Sequence, residues 1–594
     1  MVATTDRPTF AAPRVLREDT VDGRIILRSD EALAPHAVSV VHEFRAHADA
    51  HPDRLLVAEP DGAGGWHRTT WGEARARADR LAQGLLARGL ADRPVMVLSG
   101  NSTLHLTVAL AAMTLGTPVV PTSVAYSLQS GDHARLRAMA DLVDPGLIVA
   151  EQPDFAPAVA AVAGGRPVLG DVPGGCSLDD LSAGPGPEVD ERCAALRRGT
   201  VAKILFTSGS TGAPKGVINT HGMLTANQQQ MRQAWPFLSG EPPVLLDWLP
   251  WSHTFGGNHN LNLVLAHGGS LHIDDGRPAP ALIGRTVAHL TEVRPTIYLT
   301  VPAGWAALLP HLERDDDIAR AFLARLRLGF FAAAALPQGL WDRLVALARR
   351  HGSDMTMTTS WGMTETAPAS TSAHFPITRS DCLGVPLPGV ELALVPVGTK
   401  HELRVRGPNV TPGYHLRPDL TAAAFDEHGS LRTGDAVALA DPQDPGAGLL
   451  FRGRLAEDFK LMSGTFVSVG TLRSRLLSAS GGLLTDAVIC GDGAPYATAL
   501  VWLRPEEWER CPGGMPDDGL RADLAATLGR LAAEGGGTSQ RIERLLVLTE
   551  PAVLDAGEIT DKGYVNQRVV RARRHEDVAA LALENPPARV VVRS

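Results

Sequence analysis

Lysine is nearly missing from this chain. Lysine and arginine together number 56 in 594 residues, yet the only lysines are Lys203, Lys215, Lys400, Lys460 and Lys562. With a formal net charge of -9, no overall basic field exists to draw in nucleic acid or an anionic membrane. Cysteine is also scarce. Cys176, Cys193, Cys382, Cys490 and Cys511 are scattered, with no C-x-x-C pair, which excludes a zinc site or a disulfide framework of the usual spacing and makes a reducing cytoplasm the default. Long apolar runs are lacking too. The longest uncharged stretch, Asn101 to Gly131, is interrupted by Asn101, His105, Pro118 and Pro121, and reads as a buried helix and strand, not a membrane span. The opening MVATTDRPTFAAPRVLRED has no apolar core like that of a signal peptide. There is no internal repeat.

What is present describes a globular protein of more than one domain. The chain is too long for a single core, and 44% hydrophobic with 20% charged residues is ordinary for such proteins. The arginine bias adds a filter. A guanidinium is a planar fork and an ammonium a compact charge, so positions that still hold lysine are enriched for sites where compactness matters. Lys215, Lys460 and Lys562 stand out on this ground.

The stretch Lys203 to His221, KILFTSGSTGAPKGVINTH, organises the rest. Ile204, Leu205 and Phe206 fit the end of a buried strand. Thr207, Ser208, Gly209, Ser210, Thr211 and Gly212 then form a turn of hydroxyls and glycines, which can aim backbone N–H groups and O–H donors at an anion. Pro214 stiffens the exit and Lys215 adds a point charge. The spacing is not that of a Walker A loop. Upstream, residues 1–35 lack periodicity and read as an extension. Ala74, Ala78, Leu81, Leu85 and Leu86 lie at helical spacing with Gly89 as a stop, Val95 to Leu98 reads as a strand, and Leu104 to Leu115 as a helix. Such alternation predicts α/β layers around a largely parallel sheet. Residues 152–198, rich in Ala, Gly, Pro and Asp, read as a loose connection.

Downstream, LLDWLPWSHTFGGNHN (Leu245 to Asn260) gathers flat side chains beside a Gly-Gly pair; His253 reads equally well as a packed core residue. LRLGFFAAAALP (Leu326 to Pro337) predicts a strand ending in small residues, against which a flat ring can lie. In TTSWGMTETAP, Glu365 between threonines suits a Mg²⁺ held mostly by water and phosphate, or is simply an exposed loop acid. GVPLPGVELALVP and ELRVRGPNVTPGY predict short strands of a small β-rich subdomain. Asp435 follows a tight turn in LRTGD, where a carboxylate can accept two ribose hydroxyls. Lys562 sits in a polar turn in GEITDKGYVNQR.

Together these stretches resemble the adenylate-forming superfamily of acyl-CoA synthetases, luciferases and peptide-synthetase adenylation domains. TSGSTGAPKG, WGMTETAP, RTGD and Gly453-Arg454 follow in the family's order over roughly residues 36–570. DWLPWSHTFGGNHN, GPNVTPGY, EDFKLMSGTFVSVG and GEITDKGYVNQR look most like feruloyl-CoA synthases. The resemblance implies an α/β fold: an N-terminal extension (1–35), a large AMP-binding domain of layered α/β subdomains plus a β-rich subdomain (36–453), and a smaller mobile C-terminal α/β domain (454–594).

It also implies roles. Thr207 to Gly212 and Lys215 would hold the β- and γ-phosphates of ATP, Thr364 the α-phosphate, and Glu365 Mg²⁺. Ala333, Ala334, Trp361 and Gly362 would frame adenine, with Ala333 and Gly362 also bordering the acid. Asp435 and Arg454 would bind ribose, and His253 and Phe255 would border the acyl pocket. Lys562 would bridge the substrate carboxylate and the α-phosphate. Lys460, Ser463 and Gly464 fall where CoA would pass. Two departures stand out: the family's hinge Asp or Lys is Ala456 here, and SGTFVSVG carries a one-residue shift. The implied activity is an ATP-dependent ligation of a small aromatic carboxylic acid, ferulate or a close hydroxycinnamate, to CoA. Another aromatic or medium-chain acid, or a carrier-protein thiol, is the alternative. No nucleic acid or membrane partner is expected, and a homodimer is compatible with the reading.

Overall fold

The computed structural model describes residues 9–208, 214–560 and 563–593, with the side chain of Ser208 outside that description. The chain forms two compact units. The larger comprises Met1–Ala393, Arg404–Arg432 and Leu439–Leu450, and the smaller Leu394–Leu403, Thr433–Ala438 and Phe451–Ser594. The strands Glu391–Val397, Lys400–Arg406 and Leu431–Leu439 each run from one unit into the other.

In the larger unit, one six-stranded sheet has the order Pro214–Thr220, Val201–Ser208, Val119–Pro121, Val95–Val97, Leu147–Val149, Val168–Leu169. All neighbours are parallel except the first pair, a hairpin. Apart from the hairpin, the strands are short apolar runs buried on both faces, as parallel sheets require. Two predicted helices flank them. Trp71–Ala87 begins at a capping box of Thr70 and Glu73, and Gly89 follows its end with φ +67°. Thr103–Thr114 starts at Ser102, whose side chain accepts from the His105 N–H.

A four-stranded sheet (Val244–Asp247, Ser270–Ile273, Leu55–Pro60, Trp66–Thr70) and a three-stranded parallel sheet (Ile297–Thr300, Leu328–Phe331, Thr356–Thr359) complete the α/β layers. Trp305 is fully buried against the latter. Its Nε1 donates to the Phe330 carbonyl at 3.1 Å, and Tyr298 and Phe322 meet its ring edge-on.

Two expectations need correction. Residues 1–35 contain an antiparallel hairpin, Val15–Asp19 with Ile25–Ser29. Its first strand is almost wholly exposed, so no alternation marks it in the sequence. Residues 152–198 are not a loose connection: they hold helices Ala156–Val162, Leu178–Leu181 and Pro187–Ala194 and strand Val168–Leu169. These elements are short, and Gly and Pro sit at their ends, so composition hides them.

In the smaller unit the sheet order is Leu484–Cys490, Ala497–Leu503, Ile542–Val547, Val590–Val592. Alternation along Ala497–Leu503 splits its side chains between two cores. Ala497, Ala499, Val501 and Leu503 face one with helices Val469–Ala479 and Asp518–Ala533, while Leu500 and Trp502 face the other with Val570 and Leu581. Among the described residues no helix is long and apolar enough to cross a membrane.

Trp305→Ala should lower the unfolding free energy of the larger unit by about 3–5 kcal/mol, the usual loss for emptying a fully buried aromatic site, as read by equilibrium denaturation.

Candidate active site

The phosphate-loop segment is carried by the hairpin of strands Val201–Ser208 and Pro214–Thr220, in which Thr207 pairs with Lys215. Gly209, Ser210, Thr211 and Gly212 lie outside the described residues, as does Lys562. What surrounds Lys215 is described. Its Nζ lies 5.4 Å from the centroid of the Tyr414 ring, a cation–π contact. The Tyr414 hydroxyl donates to Glu365 Oε1 at 3.0 Å. Burial first, and then the Glu365 charge, push that hydroxyl well above its ordinary pKa, so it stays a donor. Lys215, Tyr414 and Glu365 thus form a chain of ammonium, phenol and carboxylate.

The segment Thr411–His415 fixes this chain. The His415 N–H donates to the Gly216 carbonyl at 2.8 Å, the Ile218 N–H to Gly413 at 3.2 Å, and the Thr411 N–H to Glu365 at 2.8 Å. Glu365 and Thr364 are both buried, in the short 3-10 turn Thr364–Thr366. Sequence reasoning missed Tyr414 as a site residue. The available signal was its place at the end of the quoted GPNVTPGY, as one of only five tyrosines.

Parallel pairing brings the adenine candidates together. Phe331 pairs with Thr359 at the C-terminal ends of adjacent parallel strands. Ala333 and Ala334 therefore leave one strand end and Trp361 and Gly362 the next, the edge of a parallel sheet where ligands bind. Ala333 sits in the left-handed region at φ +72°, uncommon for a non-glycine residue, and Ala333, Ala334 and Gly362 are exposed. Trp361 is buried, its N–H donating to Thr371 Oγ1 at 3.0 Å. A Cβ at Gly362 would fall 1.9 Å from the Pro368 carbonyl oxygen, so only glycine fits.

On the acid side, His253 is half-buried, its Nδ1 accepting from the Phe255 N–H at 3.3 Å. Phe255 opens a π-helix, Phe255–Asn260, a rare wide turn often found at functional sites. Its ring meets Phe330 edge-on at 5.6 Å, and His259 stacks on Phe330 at 5.2 Å. Asp247 is buried; it accepts from the Asn260 side chain at 2.8 Å and the Leu249 N–H at 2.9 Å, and burial pushes its carboxyl up to about 7.

The smaller unit holds the remaining candidates. Arg454 Nε and Asp435 Oδ1 are 3.3 Å apart, with Asp435 buried and Arg454 exposed. The Leu455 N–H donates to the Gly434 carbonyl at 2.9 Å, which keeps the residues before Ala456 beside the Asp435 turn. Lys460, Ser463 and Gly464 share one small hairpin, Phe459–Lys460 with Phe466–Val467. Lys460 lies over the Phe466 ring at 4.7 Å, Ser463 Oγ meets Thr465 Oγ1 at 2.9 Å, and Gly464 makes the turn at φ +79°. On either side of Lys562, Ile559 and Val565 form a bridge and the Gly563 N–H donates to Thr560 at 2.9 Å.

A parallel-sheet edge carrying small residues, and a lysine, a tyrosine and a buried glutamate linked in series, are compatible with one class, the adenylate-forming enzymes. The chain belongs to the AMP-binding enzyme family, whose pattern matches residues 44–415. It is 27% identical over 589 residues to a carboxylic acid reductase of Mycobacterium tuberculosis, covering 89% of this chain and 48% of that protein. The chain thus spans about half of that relative's length. It is 25% identical to the long-chain-fatty-acid–CoA ligase FadD15 of Mycobacterium bovis, covering 87% of this chain and 93% of that one. An anthranilate–CoA ligase of Pseudomonas aeruginosa is 31% identical over 61% of this chain and 66% of its own. In fold the chain is similar to the anthranilate CoA ligase AuaEII in complex with anthranoyl-AMP, with TM-score 0.72, 19% identity, and coverage of 92% and 99%.

Tyr414→Phe keeps the ring under Lys215 and removes one hydroxyl bond, so it should weaken MgATP binding by about fivefold. Tyr414→Ala removes both contacts and should weaken it by about thirtyfold, read by calorimetric titration without acid.

Proposed function

We propose that this adenylate-forming enzyme is an ATP-dependent acid–CoA ligase whose acid is ferulate or a related hydroxycinnamate. The Lys215–Tyr414–Glu365 chain beside the phosphate-loop hairpin carries the ATP part of the reading. The acid-CoA ligases among the relatives support the thiol, and the aromatic pocket-side segment with the subgroup motifs supports the flat acid.

A carboxylate is a poor electrophile. Its oxygen attacks the α-phosphorus of ATP, the bond to pyrophosphate breaks, and an acyl-adenylate forms. The CoA sulfur then attacks the acyl carbon as its thiol proton leaves, and AMP departs. Two anions meet in the first step, so positioning and charge neutralisation carry the rate. Lys215 neutralises phosphate, Thr364 donates to the α-phosphate, and Asp435 and Arg454 hold the ribose. Lys562 bridges the two reacting anions. A lone buried carboxylate among hydroxyls fits Mg²⁺, and Glu365 would hold it; the ion supplies further charge neutralisation on the phosphates. The likeness to carboxylic acid reductase over most of this chain keeps a carrier-protein thiol as the second reading.

The test offers ferulate, p-coumarate, caffeate, benzoate and octanoate with ATP, Mg²⁺ and CoA, following pyrophosphate and thioester absorbance. Fastest turnover of a hydroxycinnamate is expected. Preference for octanoate or benzoate overturns the substrate, adenylation without thioester favours the carrier reading, and no pyrophosphate with any acid sinks the ligase. Lys562→Ala should lose acyl-adenylate formation by about two to three orders of magnitude yet still convert presynthesised acyl-AMP plus CoA. Equal loss in both halves removes Lys562 from the first step.

A further inference from the structure

Lys203 lies on strand Val201–Ser208, just ahead of the phosphate-loop segment, and is 4% exposed. Its Nζ donates to the Gly257 carbonyl, on the π-helix, at 2.7 Å. Asn219, its cross-strand partner in the hairpin, accepts from the Asn258 side chain at 2.8 Å. One rung of the phosphate-loop hairpin thus grips two successive residues of the acid-side helix. From the next element, Gln228 donates to the Asn258 carbonyl at 3.3 Å.

Among the described residues, no carboxylate pairs with Lys203. The titratable groups that feel its charge are His105 and His221, pushed down by burial to about 4 and about 3 and hence neutral. Burial alone pushes the Lys203 ammonium down to about 7. Folding does not explain this residue. A buried charge without a counter-ion opposes folding, and an apolar side chain of similar length is often neutral or stabilising in its place.

We propose that Lys203 is a positioning residue, which holds the π-helix in register with the phosphate-loop hairpin so that the acid is presented to the nucleotide. The proposal rests on the acid-side assignment of His253 and Phe255. A compact ammonium satisfies a single buried carbonyl, whereas a guanidinium fork would bring further N–H donors that need partners there. The Nζ donates to a backbone carbonyl of the helix from a strand of the hairpin, so its loss moves the helix and not the nucleotide groups.

The test compares wild type with Lys203→Met and Lys203→Gln in the full chain, using the best acid of the panel above. Lys203→Met should melt at the wild-type temperature or higher, raise KM for the acid about tenfold or more, and leave KM for ATP within twofold. Lys203→Gln, which keeps an N–H donor, should recover part of the acid KM. A variant that melts several degrees lower or fails to fold overturns the proposal, because Lys203 is then a structural support. Unchanged constants, or equal rises in both KM values, overturn it too. The melting comparison needs no substrate, so a loss of stability overturns the proposal even where wild type turns over no acid and the ligase reading has failed separately.

Discussion

The short ladder between Gly216–Ile218 and Gly413–His415 is the constraint on which the nucleotide side depends. It sets Tyr414 between Lys215, on the strand Pro214–Thr220, and Glu365, in the turn Thr364–Thr366. Glycine is required at one residue on each side of it. A Cβ at Gly216 would lie 2.8 Å from the Ile204 side chain, and Gly413, at φ +145°, would meet Thr421 at 2.5 Å. Neither position has room for a side chain, so each segment keeps the course that brings it to the other. A phenol kept protonated by burial passes order between them without adding a third charge, which suits a site that must gather several phosphates.

The ladder holds one side of the hairpin, and a buried polar joint holds the other. Lys203 and Asn219 reach Gly257 and Asn258, Gln228 reaches the same turn, and Asn260 reaches Asp247. Such a joint is a poor way to gain stability, since every donor and acceptor in it has left water. It is a good way to gain register. Apolar surfaces tolerate sliding by a fraction of an ångström, whereas directed hydrogen bonds across a π-helix do not. Phe255, His259 and Phe330 then stack the same helix on the strand that leads to Ala333. One turn is therefore tied to the hairpin Val201–Thr220 by hydrogen bonds and to the strand Leu328–Phe331 by rings.

The stretches that carry the site candidates were legible because each is local in the chain. Hydroxyl and glycine runs, an acid between threonines, and small residues after an apolar strand each stand out over a few positions. The α/β layering was legible for the same reason, as in Trp71–Ala87 with its cap and glycine stop. What could not be read is what long-range packing decides. Nothing near Tyr414 says that it will meet residues roughly fifty and two hundred positions earlier. The π-helix uses an ordinary Phe-Gly-Gly-Asn-His-Asn sequence, and its register comes from its partners. The hairpin Val15–Ser29 escaped because its exposed strand carries no alternation, and the elements within residues 152–198 because they are too short to show a period.

The lysines show how far composition alone can carry an inference, and where it stops. The arginine bias singles out Lys215, Lys460 and Lys562, which local motifs also mark, and passes over Lys203 and Lys400. Yet these two are deeply engaged. Lys203 is buried on a backbone carbonyl, and Lys400 donates to the Arg452 carbonyl at 3.0 Å and to Ser468 Oγ at 3.2 Å while pairing with Asp458. Asp458 in turn accepts from the Val469 N–H at the start of its helix. Three acceptors fanned around one point match the three N–H bonds of an ammonium and not the flat fork of a guanidinium. Lys215 and Lys460 each lie over an aromatic ring. None of the four described lysines is a bare surface charge. Arginine lies over rings elsewhere in this chain, so it is Lys203 and Lys400 whose partners call for a small tetrahedral cation, and those partners are atoms that only the folded chain brings together.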